Sequence, residues 1–484
     1  MPQKSIKINF SKGIAWVTLS TCITQPLSFL IKIVLAKKLV PEDFGVVAIG
    51  LLVINSFGLL KEMGMGAALV QRKEKLEEAS STAFFIILFT SIILYFISFL
   101  SAGLMAIFFN SPPVKPILRT LSLSFLISSF GIVPTSLLSR DLMFKKRFVP
   151  EVVSIVLFGT VSIWMAYTGF GVWSLAVGYL ISVLTDSALS WIVLKWKFTF
   201  VFDREIAKEI FVYGSHILAT NILAYFMLQG ANAVIGRISG MKMLGYYSMA
   251  FTIASLPFLG ITSVIARVAF PTFARIQENR KNLSRAFKKI LEYLLLLILP
   301  MAMGIFVISP EFIKVVLTER WLPMQVALKI LCFFAVFRSL HMICGFLTQA
   351  VGKPKLQRNL VFGEVLLLAI IIYPMTKLWG INGACVSMLL VITAGSIWLL
   401  LKSWNILSLR NFEILEISKV PVLATLIMSS AVILMNKTFF PEASFSGLVI
   451  GILIGAFTYL LSIFMLKRNL KNEIMELINF GYAK

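Results

Sequence analysis

Charge is what this chain has least of. Charged residues make up 14% of its 484 residues, whereas a soluble protein needs about 25% to cover its surface. That shortage excludes water as the outer solvent and leaves lipid. Histidine occurs 2 times and cysteine 4 times. The spacing of Cys22, Cys332, Cys344 and Cys385 fits neither a disulfide framework nor a zinc site, so they read as packing residues. No Ser/Gly/Pro-rich linker, low-complexity tract or long loop interrupts the chain, which leaves no room for a soluble domain. A membrane glycosyltransferase or polymerase needs such a domain, or long loops, to hold an acceptor. Glu42 and Asp43 match the paired acids of those enzymes, but they read more simply as the first turn of a helix opened by Pro41. With no nucleophile–base or metal-ligand constellation present, neither an enzyme nor a cofactor is expected.

What is abundant is hydrophobic sequence, 58% of the chain. Crossing the hydrocarbon core takes about 20 mostly apolar residues. Fourteen such spans are read near 12–37, 43–70, 80–109, 114–139, 148–168, 172–194, 209–236, 243–270, 287–309, 324–350, 357–376, 380–401, 415–436 and 445–466. The expected fold is therefore an all-α integral membrane protein.

A net charge of +23 would point to nucleic acid in a soluble protein. Its placement gives another reading. With the N-terminus inside, and residues near a span's end counted with the segment that flanks it, the inner segments carry 30 of the 45 Lys and Arg, the outer segments 10, and the span interiors 5. Such a bias marks the cytoplasmic face, so the basic balance is topology and nucleic acid is not an expected partner. Both termini are then cytoplasmic. The first span is too long for a cleavable leader and follows a short basic tail, so it reads as a retained signal anchor.

Two internal echoes divide the spans into lobes. Residues 34–45, VLAKKLVPEDFG, line up 200 residues on with 234–245, VIGRISGMKMLG. Residues 171–176, GVWSLA, line up 209 residues on with 380–385, GINGAC. Six spans separate the partners, an even number, which makes the repeat parallel. The expected division is 1–200 for one six-helix lobe, 201–405 for the other and 406–484 for a terminal helix pair. The polar stretch 275–289 is the expected connector region on the inner side.

Ionisable residues at membrane depth are costly, and they face a water-filled cavity or one another. In span one, Thr18, Thr21, Gln25, Ser28 and Lys32 share a helical face. Lys61 and Glu62 are adjacent in span two, where a local ion pair is the alternative to cavity lining. Snorkelling is the alternative for Lys32 and Arg267, and mutual packing for His341 with Arg338. His216 and Asn232 lie in span seven, Lys329, Arg338 and His341 in span ten, and Asp186 and Glu364 are the other buried acids. The five cations Lys32, Lys61, Arg267, Lys329 and Arg338 outnumber the three acids. Surplus positive charge calls for an anionic guest, and Arg and Lys suit phosphate. Gln25, Glu62, Asp186, His216, Asn232, His341 and Glu364 are the polar and coupling candidates, with H+ or Na+ as the ion. Prolines inside spans, Pro26, Pro134, Pro257, Pro300 and Pro374, are expected kinks.

Several stretches together carry a family likeness: KGIAW at 12–16, AKKLVPEDFG at 36–45, EMGMGAALVQ at 62–71, GFGVWSLA at 169–176, IGRISGMKMLGYY at 235–247 and PTFARIQ at 271–277. By these the chain resembles the polysaccharide flippases, the Wzx-type exporters of O-antigen and exopolysaccharide. Their superfamily also holds lipid II flippases and multidrug MATE exporters, the nearer competing readings. The resemblance implies two pseudo-symmetric six-helix lobes, a terminal pair and alternating access in a bacterial inner membrane. It also implies a cationic cavity for the pyrophosphate of a polyprenyl-linked oligosaccharide, with Lys32, Lys61 and Arg267 among its walls. Other polysaccharide-assembly membrane proteins would be further partners. One departure stands out: the family often has an acid about five residues before Gly236, and this chain has Ala231 and Asn232 there.

Overall fold

The computed structural model describes residues 3–62, 64–72, 74–196, 199–409 and 412–467, without the side chains of 3–14, 67, 213–217, 219–221, 224, 263, 264, 267 and 412. Among the described residues there is no strand. The chain runs α1 (Gln3–Lys38), α2 (Pro41–Glu62), α3 (Met65–Gln71), α4 (Leu76–Phe108), α5 (Val114–Arg140), α6 (Phe144–Tyr167), α7 (Val172–Leu194), α8 (Arg204–Ile238), α9 (Gly240–Pro257), α10 (Ser263–Arg275), α11 (Arg280–Phe312), α12 (Gln325–Ala350), α13 (Pro354–Leu407), α14 (Phe412–Phe439) and α15 (Phe445–Leu466). Twelve stretches of helix are long and apolar enough to cross a membrane. One of these, α13, is two helices in a row, because Trp379 (φ −125°, ψ 17°) and Gly380 (φ 57°, ψ −138°) leave helical geometry. The 35-residue α8 covers the seventh expected span. Each of the fourteen expected spans thus falls on helix, the second of them interrupted at Gly64.

The helix ends follow from local chemistry. Pro41 opens α2 with Glu42 and Asp43 in its first turn, and the Asp43 carboxylate accepts the Val40 N–H at 3.2 Å. The paired acids are a helix start. Asp203 caps α8 by accepting from the N–H groups of Glu205 and Ile206, and Asn279 caps α11 through the Asn282 N–H. Span two is broken: Gly64 is left-handed at φ 70° and separates α2 from α3. Pro257 ends α9, and a π turn over Phe258–Thr262 links it to α10. A proline ring removes one backbone bond, and the π turn re-registers those that follow.

Two compact units are formed, one by residues 1–248 with 369–384, the other by 249–368 with residues from 385 onward. In the first, Met65, Leu69, Phe84, Ile87, Val133 and Ile210 are buried in one core at the Lys/Arg-rich ends of the helices. In the second, α14 and α15 pack on α11. Tyr459 donates its hydroxyl proton to the Leu296 carbonyl at 2.6 Å, and Lys467–Glu292 and Lys288–Glu413 ion pairs, each 2.7 Å, tie both helices down.

The repeat has a structural counterpart. Gly45 is pressed against Met241, whose carbonyl carbon would stand 2.7 Å from a Cβ there. Gly245, exactly 200 residues later in the alignment, is pressed in the same way against Pro41, 2.5 Å from the corresponding carbon. The contact is reciprocal, as a two-fold relation between repeats requires. The second echo matches in conformation: Gly171 (φ 53°, ψ −129°) and Gly380 (φ 57°, ψ −138°) open their helices with one backbone geometry that only glycine adopts freely.

Candidate functional site

A cavity of about 480 Å³ lies within the first unit, lined by Lys61, Glu62, Ser128, Thr135, Ser136, Arg147, Asp186 and Ser187 among others. It shares Gly66, Thr135, Ser136 and Arg147 with a second hollow of about 550 Å³ that runs on to Gln71 and Ser139. At a rise of 1.5 Å per residue, Arg147 stands about 5 Å and Ser128 about 18 Å from the basic ends of their helices. The cleft therefore reaches from the basic face to roughly the middle of the bilayer.

Lys61 is the charge that the fold buries here, 6% exposed on the last turn of α2. Its Nζ donates to the Ser128 hydroxyl at 2.6 Å and stands 6.0 Å from the Phe125 ring. It forms no ion pair with Glu62, whose side chain is exposed. An ammonium has three protons to donate, and the one hydrogen-bond partner of Lys61 among the described residues is neutral. Burying a cation this way is expensive unless an anion completes the site.

Arg147 is held differently. Its Nε donates to Glu151 at 2.7 Å and its Nη1 to the Ser139 hydroxyl at 3.2 Å. The other Glu151 oxygen accepts from Ser20 of α1. The guanidinium is thereby oriented along the cleft wall. Asp186 lines the same cavity half-buried, with no hydrogen-bond or ion-pair partner among the described residues. The cleft thus joins two cations to the acids Glu62 and Asp186 on a bed of hydroxyls, a more balanced charge than the sequence count implied.

The other expected residues are placed elsewhere. Lys32 is half-buried on α1, and Gln25 is exposed. Asn232 donates to Gln229 on its own helix. In the second unit Lys329 lies over the Phe306 ring at 5.2 Å and Arg338 over Phe258 at 4.0 Å. His341 pairs with Glu364 at 3.4 Å. The side chains of His216 and Arg267 lie outside the described residues.

Sequence reading missed Arg147, which counted toward the basic flank of span five although it sits inside the first turn of α6. It also missed the hydroxyl wall of α5. Ser128, Thr135, Ser136 and Ser139 fall within about one helical face, a spacing that could have flagged them.

The fold is that of the large two-lobed membrane transporters. The chain superposes on the lipid II flippase MurJ in an inward closed conformation with a TM-score of 0.78, covering 94% of this chain and 99% of that one at 17% identity. An inward-facing MATE-family multidrug transporter gives 0.64, over 82% and 98% of the two chains at 18% identity. In sequence, it is 26% identical to the succinoglycan biosynthesis transport protein ExoT of Rhizobium meliloti (strain 1021), over 96% of this chain and 95% of that one. It is 30% identical to the teichuronic acid biosynthesis protein TuaB of Bacillus subtilis (strain 168), over 62% of each. The profile of the polysaccharide biosynthesis protein family matches residues 34–326. The chain belongs to that family.

Proposed function

We propose that this protein is a flippase that carries a polyprenyl-pyrophosphate-linked oligosaccharide from the cytoplasmic to the outer face of a bacterial inner membrane by alternating access. The observation that carries the reading is buried Lys61, without a carboxylate partner among the described residues, in a cleft reaching up from the basic face. A lipid-linked sugar arrives with its pyrophosphate at headgroup depth, its glycan in water and its tail in hydrocarbon. The cleft offers an ammonium, an oriented guanidinium and hydroxyls over the depth where that headgroup enters. Its volume of about 480 Å³ falls within the range of about 300–1,000 Å³ usual for ligand sites. The basic ends are then cytoplasmic, as are both termini. The relatives named for succinoglycan and teichuronic acid biosynthesis support a glycan cargo. Other polysaccharide-assembly membrane proteins are the expected neighbours, and the protein performs no bond chemistry on its cargo.

The test is mass spectrometry of lipid-linked glycans, with their membrane sidedness, in cells lacking the protein. A complete repeat unit accumulating on the cytoplasmic face is the expected result. An incomplete glycan, or a complete one waiting on the outer face, would mean an enzyme and end the transport reading. In the same cells Arg267→Ala is expected to abolish export at normal expression.

A further inference from the structure

The second unit contains a buried acid that the cleft does not use. Glu364, in the first half of α13, is 4% exposed, and among the described residues neither of its carboxylate oxygens accepts a hydrogen bond. His341 of α12 is 9% exposed, its Nδ1 3.4 Å from Glu364 Oε1 and likewise without a hydrogen bond. The second half of α13 makes room for the acid: a Cβ on Gly395 would collide with the carboxylate, lying 2.7 Å from Glu364 Cδ. Next to it, Ser396 turns its hydroxyl away to the Phe337 carbonyl at 2.8 Å.

Depth matters here. His341 is nine residues before the end of α12 and Glu364 ten residues after the start of α13. Both therefore lie about 14–15 Å from the basic ends, near the middle of a core about 30 Å thick. An ionised carboxylate there, with no donor, would cost several kcal/mol. A proton on either group removes most of that cost, and the 3.4 Å gap lets them share it.

The neighbouring charges do not compete for this role. On α12, Arg338 sits one turn before His341 and covers the Phe258 ring, and Lys329 stands three turns away over Phe306. On the packed helix α11, Lys288 and Glu292 are engaged by Glu413 and Lys467, and Glu311 lies at its far end. On α10, Arg275 is in the last turn, and the side chain of Arg267 is not described. Among the described residues, none but His341 lies within ion-pair distance of Glu364.

We propose that Glu364 and His341 form a proton-binding dyad, opened by Gly395, that couples proton movement to the transport cycle. The coupling half of this rests on the flippase reading; the proton site itself does not. The chemistry is conserved in charge. One proton moves between Glu364 Oε1 and His341 Nδ1, either as carboxylic acid with neutral imidazole or as carboxylate with imidazolium. The dyad with this one proton is the loaded form; passing the proton to water leaves carboxylate beside neutral imidazole, the empty form. Sodium fits less well, because it takes several oxygen ligands and this site presents one carboxylate.

The experiment has two readouts. Infrared difference spectra of the purified full chain in lipid nanodiscs are recorded across a pH titration. Wild type should show a titrating protonated-carboxyl band that Glu364→Gln removes, that Glu364→Asp retains, and that His341→Gln displaces. An identical band in wild type and Glu364→Gln would overturn the site. Inverted membrane vesicles from cells making the glycan then report flipping as loss of access to an added impermeant periodate. An imposed pH gradient should accelerate flipping in wild type and not in Glu364→Gln. Equal acceleration in both, or acceleration by a sodium gradient instead, would overturn the coupling. No flipping even in wild type would sink the flippase reading, and the infrared band would still decide the proton site.

Discussion

Replacing Gly45 or Gly245 by alanine tests whether the reciprocal contact between the repeats is as tight as its geometry implies. The added methyl at Gly45 would stand 2.7 Å from the Met241 carbonyl carbon, and that at Gly245 2.5 Å from the Pro41 carbon. Carbon atoms rest about 3.5 Å apart at their energy minimum, so each methyl is about 1 Å too close to the carbon, and the carbonyl oxygen stands nearer still. The obstacle is backbone, which cannot rotate aside as a side-chain tip could. The helix ends must part, and overpacking of this kind costs about 1–3 kcal/mol. Taking 2 kcal/mol, the thermal midpoint of the detergent-purified protein should fall by about 4–8 °C. Because both methyls push the same two segments apart, the second adds little once the first has opened the contact. The double variant should lose less than the sum of the singles, by about 1 kcal/mol. Gly103→Ala is the control: nothing lies within 4 Å of its Cβ position, and relieving a helical glycine gains about 0.5–1 kcal/mol. An unchanged midpoint in Gly45→Ala, or strictly additive losses, would refute the reciprocal packing.

Three further outcomes follow from other parts of the fold. Lys61→Met keeps the apolar stem in its bed and removes the charge. The protein should stay monodisperse while polysaccharide export falls at least about tenfold, the equivalent of one charge-assisted hydrogen bond. Gly171→Ala and Gly380→Ala force a side chain into a region reserved for glycine. Each should cost about 1–3 kcal/mol in thermal unfolding, and equal penalties at the two positions would match their shared geometry. Tyr459→Phe removes the bond to the Leu296 carbonyl, at about 1 kcal/mol. Hydrogen exchange should then quicken in α14 and α15 before the helices of the first unit.

The spans were legible because the physics behind them is one-dimensional: a run of apolar residues long enough to cross lipid has to be helical. The repeat was legible for a related reason, since a backbone contact admits only glycine and therefore leaves a letter at both ends. The break after Glu62 was not. Hydropathy averages over the region and cannot register one residue, Gly64, at φ 70°. Pro257 did announce an interruption in span eight, but a π turn and a simple kink begin with the same residue. Arg147 was hidden by another argument: counted as topology, it was not weighed as a cleft wall. The pairing of His341 with Glu364 lies beyond periodicity altogether, because helical spacing relates positions on one helix and says nothing of which two helices meet.

The way the chain settles its intramembrane cations bears on function. Lys329 rests on an aromatic face, Lys61 on a serine hydroxyl, and neither Lys32, Lys61 nor Lys329 enters an ion pair among the described residues. A cation that served only to hold helices together would be cheapest beside a carboxylate, as Lys467 and Lys288 are where α11 meets the terminal pair. Ring faces and hydroxyls hold a cation loosely enough to be exchanged for a phosphate. The same holds in reverse for Glu364, whose imidazole neighbour can give the proton back. Carboxylate pairs where α11 meets the terminal helices, and neutral partners for Lys61 and Lys329, are the division a carrier needs, since whatever binds its cargo must also release it.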